Sequence, residues 1–278
     1  MVVYNIKKSN KVLLVMRMPK TGSRSLRSIV RREYGSENIV SGWKIMKGKK
    51  PGTLKMKTDK RWDIVKNMIM KRGLEENTKA VVSHMFYGWH EYIERECTYI
   101  TFVREPVSRY LSFYNHVKNM EEHPFGKYIR RNNLSVDEVV KCDEYLANFN
   151  KNLQVKIISG NQTPNQESLF RAIDSIKQKF AHVGKTQSFD EDILKISQKF
   201  GWNLPFYRRK NVSKNKTRVS DLSVSQVKQI AENNILDIAL FRYLSENNIF
   251  NSENVSSIKK YVYERLNISV SSIYSIVK

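Results

Sequence analysis

The hydrophobic residues of the chain fall into short, nearly continuous runs separated by polar turns. Three of these runs, Val12 to Arg17, Lys79 to Ser83 and Thr98 to Val103, have the length and apolar content of strands buried on both faces of a sheet. A fourth run, Ala181 to Thr186, has the same character. Helical patterns lie between the runs, and strands that alternate with helices form a parallel sheet. The pattern therefore predicts an α/β fold of three layers, in which helices flank a central parallel sheet.

The predicted helices repeat their apolar residues every three or four positions. A helix over Gly22 to Tyr34 places Leu26, Ile29 and Val30 on one face. Pro106 favours the first position of another helix. Further helices are predicted over residues 63–71, 167–180, 190–200 and 223–245, with a last one near 258–266, and residues 134–158 are predicted to be mostly helical. They supply the outer layers of the predicted fold.

Length and composition indicate a single domain. The 278 residues, of which 40% are hydrophobic, are enough for one substantial core. We predict one domain over 1–278, with its core at 11–247 and a tail at 248–278. Only two cysteines occur, Cys97 and Cys142, and no Cys/His cluster has the spacing of metal ligands. We therefore expect no metal site, and whether the two cysteines pair is left open.

The charge of the chain indicates polyanionic partners. Lys and Arg total 49 against 27 Asp and Glu, a formal net charge of +22. Eleven basic residues lie within Ser41 to Arg72, and six lie within Pro205 to Ser220 without an acid. Each stretch is either an anion-binding surface or a solvated basic face. The candidates for contact with a polyanionic substrate are Lys47, Lys49, Lys50 and Lys55.

The turn after the first predicted strand has the residues of an anion-binding loop. Gly22 allows a close approach of the main chain, and the following helix offers N–H groups and the positive end of its dipole. The Walker loop of nucleoside triphosphate enzymes is disfavoured, because Leu14 and Pro19 stand at its two glycine positions. The predicted fold is thus P-loop-like without the Walker sequence. The candidate binding residues are Lys20, Thr21, Gly22, Ser23, Arg24 and Ser25.

A second motif follows the strand that ends at Val103. Arg104 stands at the strand end, and Ser112 lies eight residues later, about two turns beyond Pro106. The helix can therefore aim the Ser112 hydroxyl at a phosphate that Arg104 also holds. Parallel strands bring such turns to one edge of a sheet. The two motifs together predict a site for a nucleotide with more than one phosphate-like group.

These motifs resemble those of sulfotransferases that use 3′-phosphoadenosine 5′-phosphosulfate (PAPS). Pro19-Lys-Thr-Gly-Ser23 is similar to the family's 5′-phosphosulfate loop, and Arg104-Glu-Pro-Val-Ser-Arg-Tyr-Leu-Ser-Phe-Tyr114 is similar to its 3′-phosphate motif. The likeness extends over residues 12–244 and is greatest to the 2-O-sulfotransferases that modify uronic acids in glycosaminoglycans such as heparan sulfate. It implies PAPS as the donor, no metal, and transfer of a sulfuryl group to a carbohydrate hydroxyl.

The resemblance also implies roles for individual residues. His84 lies twenty residues before Arg104, where the 2-O enzymes carry a similar His-x-x-aromatic segment, so we expect it to take the proton of the acceptor hydroxyl. Lys20 is expected to stabilise the leaving oxygen, and Arg104 with Ser112 to hold the 3′-phosphate. The histidines without a comparable placement are His90, His116, His123 and His182.

Two later segments are matched more loosely. A basic loop commonly closes the nucleotide site of sulfotransferases, and its candidates here are Asn211, Ser213 and Lys214. The segment Asn152-Leu-Gln-Val-Lys-Ile-Ile-Ser-Gly160 resembles the Asn-x-Gln-x-x-x-x-Ser-Gly pattern of the 2-O enzymes. Its role, structural or on the acceptor side, is left open.

Other function classes compete with sulfuryl transfer. A non-catalytic polyanion-binding or nucleic-acid-binding protein would use the net charge, but it needs neither both phosphate motifs nor a placed histidine. A nucleotide kinase needs the Walker loop that is missing here. The resemblance implies a polysaccharide or other glycan acceptor, no nucleic acid, and a place in the Golgi lumen, although we expect no signal, anchor or membrane span in this chain. The acceptor and the oligomeric state are left open.

Overall fold

The computed structural model describes residues 10–41, 66–71, 73–203, 207 and 217–247. They form two compact units: one contains the described residues of Met1–Val103 and Gln178–Asn211, and the other those of Arg104–Lys177 and Val212–Lys278. The single domain stays a prediction from chain length. The helix predicted near 258–266 lies outside the described residues.

A five-stranded parallel sheet forms the centre of the first unit, as the hydrophobic pattern predicted. Its order is β2-β3-β1-β4-β5. The strands are β1 (Val12–Met16), β2 (Ile39–Ser41), β3 (Ala80–Ser83), β4 (Cys97–Val103) and β5 (Phe180–Lys185). Strand β2 was not predicted, because three residues are too few to show a period.

Helices flank this sheet, which confirms the predicted α/β class. Within the first unit, α1 (Ser23–Tyr34) and α8 (Phe189–Phe200) pack on one face of the sheet. Leu26 and Ile29 of α1 meet Ile193 of α8 and the β1 residue Val15 in a single buried cluster. Residues 66–71 are also helical, and Trp89–Tyr92 and Thr186–Ser188 are 3₁₀ turns.

The register of the sheet places two chain segments side by side at its carboxyl edge. Met16, the last residue of β1, pairs with Ser83, the last residue of β3. The residues that follow, Arg17 and His84, therefore leave the sheet as neighbours although 67 positions separate them.

The second unit is helical. It contains α2 (Pro106–Lys118), α3 (Pro124–Arg131), α4 (Val136–Lys141), α5 (Tyr145–Asn150), α6 (Leu153–Ser159), α9 (Val224–Glu232), α10 (Ile235–Glu246) and the 3₁₀ turn Val219–Asp221. Most of α7 (Gln166–Lys179) also belongs to it. Its core joins α2, α3, α4, α5, α9 and α10 through buried aliphatic and aromatic side chains.

Two segments that were predicted to be helical are each divided into shorter helices in this unit. The segment 134–158, predicted to be mostly helical, contains the three helices α4, α5 and α6, because the chain is extended at Cys142 and Lys151 and left-handed at Asn152, whose φ is 48°. The helix predicted over 223–245 is interrupted at Asn234, with φ −128°, between α9 and α10. In both cases an asparagine competes for main-chain hydrogen bonds. Helix α3 was not predicted.

Candidate active site

The loop between β1 and α1 is held in a conformation that suits an anion. Lys20 and Gly22 both lie in the left-handed region, with φ values of 71° and 76°. The hydroxyl of the buried Thr21 donates to the carbonyl oxygen of Met18 at 3.1 Å, so its proton is used within the loop. Helix α1 begins directly afterwards and has no acidic residue in its first turn. The positive end of its dipole is therefore not neutralised by its own side chains.

Gly22 is needed for packing as well as for its backbone conformation. A Cβ atom at this position would lie 3.1 Å from a ring carbon of Phe189 in α8. That ring also packs on Phe102 of β4, with 4.5 Å between the ring centroids. The loop thus packs on the Phe189 ring so closely that a Cβ atom at Gly22 would require this ring to shift.

Several cations are concentrated around this loop. The Nε atom of Arg17 is buried and has no hydrogen-bond partner among the described residues. Burial and then the charges of Arg27 and Arg24 lower the pKa of Arg17 to about 10. Burial and the charge of Arg31 also lower the pKa of Arg27. Like charges next to a helix N-terminus are unfavourable unless an anion binds among them.

Three of these cations were not among the predicted site residues: Arg17 and Arg27 near the loop, and Arg31 in the last turn of α1. Arg24, Arg27 and Arg31 are spaced by three and four residues in α1, so they project from one side of the helix. That spacing is visible in the sequence and could have indicated a cationic side of the helix. Of the predicted loop residues, Ser23 and Ser25 are buried in the first turn of α1, and the side chain of Arg24 is exposed.

His84 is oriented by the main chain of Arg17. Its Nδ1 atom lies 2.7 Å from the Arg17 carbonyl oxygen. A carbonyl oxygen only accepts hydrogen bonds, so Nδ1 carries the hydrogen in the neutral ring and Nε2 keeps its lone pair. Burial, followed by the charge of Arg17, lowers the pKa of His84 to about 3. The imidazole is therefore neutral at physiological pH and is able to accept a proton at Nε2.

The other four histidines lie in different surroundings. His90 contacts the hydroxyl of Tyr99 through its main-chain nitrogen at 3.0 Å and through Nδ1 at 3.1 Å. His182 bonds an aspartate carboxylate at 2.9 Å, and His123 caps the start of α3. His116 is exposed near the end of α2. The ring of His84, by contrast, is hydrogen-bonded to the main chain of Arg17, where the loop between β1 and α1 begins.

The Arg-Glu-Pro motif builds the start of α2 in the second unit. The Glu105 carboxylate accepts from the main-chain N–H groups of Val107 at 2.8 Å and Ser108 at 2.7 Å, and Pro106 occupies the first helical position. Arg104 precedes this cap and is half-buried, and burial lowers the pKa of its guanidinium. Ser112 is half-buried on α2, two turns further along.

The structure groups the predicted residues by unit. The loop residues and His84 are brought together at the carboxyl edge of the sheet, whereas Arg104 and Ser112 belong to the helical unit. The remaining candidates lie outside the described residues: Lys47, Lys49, Lys50, Lys55, Asn211, Ser213 and Lys214.

No metal or membrane site is found in the described part of the chain. No group of three or more His, Cys, Asp or Glu residues there could hold a metal ion. Among the same residues, no helix combines the length and the apolar character that crossing a bilayer requires. Cys97 and Cys142 are both free thiols.

Comparison with known proteins agrees with this geometry. The model of a family described as "Sulfotransferase family" matches residues 4–244. A comparison with curated proteins finds no match. The family match covers both the cationic loop with His84 and the Arg104 motif, and it extends over most of the chain. The chain belongs to the sulfotransferase family.

Proposed function

We propose that this protein transfers a sulfuryl group from PAPS to a carbohydrate hydroxyl, the 2-O position of a uronic acid in a glycosaminoglycan-type chain. One observation carries the proposal. His84 donates from Nδ1 to the Arg17 carbonyl oxygen, so the neutral ring has an unprotonated Nε2. The ring lies beside the cationic loop, which is the loop between β1 and α1 with the arginines around it. A proton acceptor next to an anion-binding loop is the combination that transfer from an anionic donor to a hydroxyl requires.

The residues present fit the donor. The buried Nε of Arg17 needs an acceptor, and a phosphosulfate group would supply one. Lys20, at the turn of the loop, would hold the bridging oxygen, and the main-chain N–H groups at the start of α1 would bind the 5′-phosphate. We assign the 3′-phosphate to Arg104 and Ser112, as the sequence motif implies. PAPS supplies the sulfuryl group that is transferred.

The chemistry balances with these side chains. The acceptor oxygen forms a bond to sulfur while the bond from sulfur to the bridging oxygen breaks, and the adenosine 3′,5′-bisphosphate leaves with that electron pair. Nε2 of His84 takes the hydroxyl proton, and Lys20 stabilises the negative charge on the leaving oxygen. Once His84 has taken this proton, its positive charge would be unfavourable next to the charge of Arg17 if no anion were bound. The bound anion offsets that repulsion.

The net charge supports a polyanionic acceptor. The formal charge is +22, and the row Arg24, Arg27 and Arg31 extends the cationic surface along α1. The uronic acid 2-O position and the Golgi location rest on the motif resemblance. A non-catalytic polyanion binder would use the same charges, but it has no use for a histidine whose tautomer is held by the loop.

The test is a PAPS-dependent transfer assay against a panel of desulfated polysaccharides, with linkage analysis of the product. We expect sulfate at the 2-O position of a uronic acid. Adenosine 3′,5′-bisphosphate should bind more tightly than AMP in calorimetry. Arg104→Ala and Ser112→Ala should each weaken this binding by roughly 10- to 150-fold, as expected for a charge-assisted hydrogen bond. Equal affinity for AMP, with no transfer to any acceptor, would refute the proposal.

A further inference from the structure

We propose that Gln154 is a positioning residue that fixes the main chain of Arg104 for binding the 3′-phosphate of the donor. The inference rests on the proposed function, and it gives a role to the Asn152-x-Gln154 segment that the sequence analysis left without one. Both residues lie in the helical unit.

Gln154 holds Arg104 through two main-chain hydrogen bonds. The N–H of Arg104 donates to Oε1 of Gln154 at 2.7 Å, and Nε2 of Gln154 donates to the Arg104 carbonyl oxygen at 2.9 Å. Arg104 follows β4 and precedes α2, so it belongs to neither element. The carboxamide replaces the partner that a neighbouring strand would have provided. Because Gln154 is only 1% exposed, water does not compete for these bonds.

Gln154 is itself held by a carboxylate from another helix. The main-chain N–H groups of Gln154 and Val155 donate to the two carboxylate oxygens of Asp237, at 3.1 and 2.8 Å. Asp237 is fully buried in the first turn of α10. It therefore caps the start of α6, a position that needs acceptors for its N–H groups.

The capping is reciprocal. Oδ1 of Asn152, just before α6, accepts from the N–H groups of Leu236 at 3.0 Å and Asp237 at 3.2 Å. Oδ1 of Asn234, just before α10, accepts from the N–H of Asn152 at 3.0 Å. Each helix thus supplies the cap of the other, which fixes the start of α6 and with it the direction of the Gln154 side chain.

A buried arginine connects this pair of helices to α2. Nε of Arg109 lies 3.8 Å from the Asp237 carboxylate, and its other nitrogens donate to the side-chain and main-chain oxygens of Asn150. Arg109 and Asp237 are both fully buried, so each charge depends on the other. Arg104 is consequently fixed by a buried network of three helices.

The test compares two ligands that differ in the 3′-phosphate, adenosine 3′,5′-bisphosphate and AMP, by calorimetry. In Gln154→Met, which keeps the length of the side chain without its hydrogen bonds, we expect affinity for the bisphosphate to fall on the order of tenfold and affinity for AMP to stay unchanged. Gln154→Glu keeps an acceptor for the Arg104 N–H and loses the donor to its carbonyl oxygen. Gln154→Glu should lower the affinity for the bisphosphate by less than Gln154→Met does, again without changing the affinity for AMP. It is the variant to test if Gln154→Met does not fold.

Two further variants separate positioning from stability. Lys156→Met removes buried hydrogen bonds from the same helix to the main-chain oxygens of Asn148 and Phe149. It should lower the melting temperature and leave the ratio of the two affinities unchanged. In an Arg104→Ala background, Gln154→Met should have no further effect on that ratio, because it acts through Arg104.

The outcomes distinguish the two proposals. A wild-type protein that binds both ligands equally would overturn the proposed function and this role with it. A wild-type protein that prefers the bisphosphate, while Gln154→Met retains the preference or loses affinity for both ligands alike, would overturn the positioning role alone.

Discussion

Nδ1 of His84 lies 2.7 Å from the main-chain carbonyl oxygen of Arg17, and this contact follows from the pairing of two strands. The residues immediately before them, Ser83 and Met16, are paired across β3 and β1. Since the acceptor is a main-chain atom held by the sheet, the tautomer of His84 does not depend on any mobile side chain. The sheet therefore determines which ring nitrogen carries the hydrogen in the neutral imidazole.

The first prediction concerns His84 as the base. The variant His84→Asn keeps an N–H group that can donate to the Arg17 carbonyl oxygen, but it lacks the proton acceptor of the imidazole. We expect turnover to fall by about 10²- to 10⁴-fold while affinity for adenosine 3′,5′-bisphosphate is retained. Steady-state rates and calorimetry on the same preparation check this. The control is His116→Asn, at an exposed histidine, which should keep the wild-type rate. Wild-type turnover in His84→Asn would show that another group is the base.

The second prediction concerns stability and pH. The pKa of His84 is about 3 in the folded protein, whereas an unfolded histidine has a pKa of about 6.5. Between these values only the unfolded chain takes up the proton, so this group contributes stability above pH 6.5 that is lost as the pH falls towards 3.

This contribution is absent in His84→Asn, so the variant isolates it. Urea unfolding of ligand-free wild type and variant between pH 7.5 and pH 5 should show the wild type losing more free energy of unfolding than the variant. Parallel losses over this range would mean that the imidazole is not kept neutral by its surroundings.

The third prediction concerns Arg17. In Arg17→Met the main-chain carbonyl oxygen remains but the charge is gone. Affinity for adenosine 3′,5′-bisphosphate should fall by roughly 10- to 150-fold, and the pKa of His84, measured by NMR, should rise because one of the charges that lower it is removed. Arg95→Met is the control, since Arg95 donates only to the main-chain oxygens of Glu75 and Glu76 among the hydrogen bonds described. An unchanged His84 pKa in Arg17→Met would contradict the electrostatic account.

The fourth prediction concerns Gly22. A side chain there would be strained at φ 76° and would press on Phe189 at 3.1 Å. Gly22→Ala should therefore lower the free energy of unfolding by more than the roughly 1–2 kcal/mol of left-handed strain alone. Gly201→Ala provides that reference, because Gly201 has φ 62° and its Cβ would meet nothing within 4 Å. Equal losses of unfolding free energy in the two variants, measured by urea unfolding, would show that the contact with Phe189 adds nothing to the backbone strain.

Much of the fold could be predicted because residues that are close together in the sequence determine each of its main elements. The apolar runs of β1, β3, β4 and β5 are long enough to show that both faces are buried, and Pro106 marks the start of α2. The prediction of an anion-binding loop at residues 19–25 was equally local, since a glycine, hydroxyl side chains and the start of a helix lie within one short segment.

The sequence by itself thus determined the α/β class, the order of the main elements and the position of the loop predicted at residues 19–25. Tertiary structure alone decided the contact between His84 and Arg17, which requires the register of two strands. It also decided the breaks before α6 and α10, because the caps of these helices come from residues 82 to 85 positions apart, Asn152 with Asn234, Leu236 and Asp237. Hydrophobic periodicity carries no information about such partners, since a polar side chain that bonds a distant main chain has the same local pattern as one that faces water.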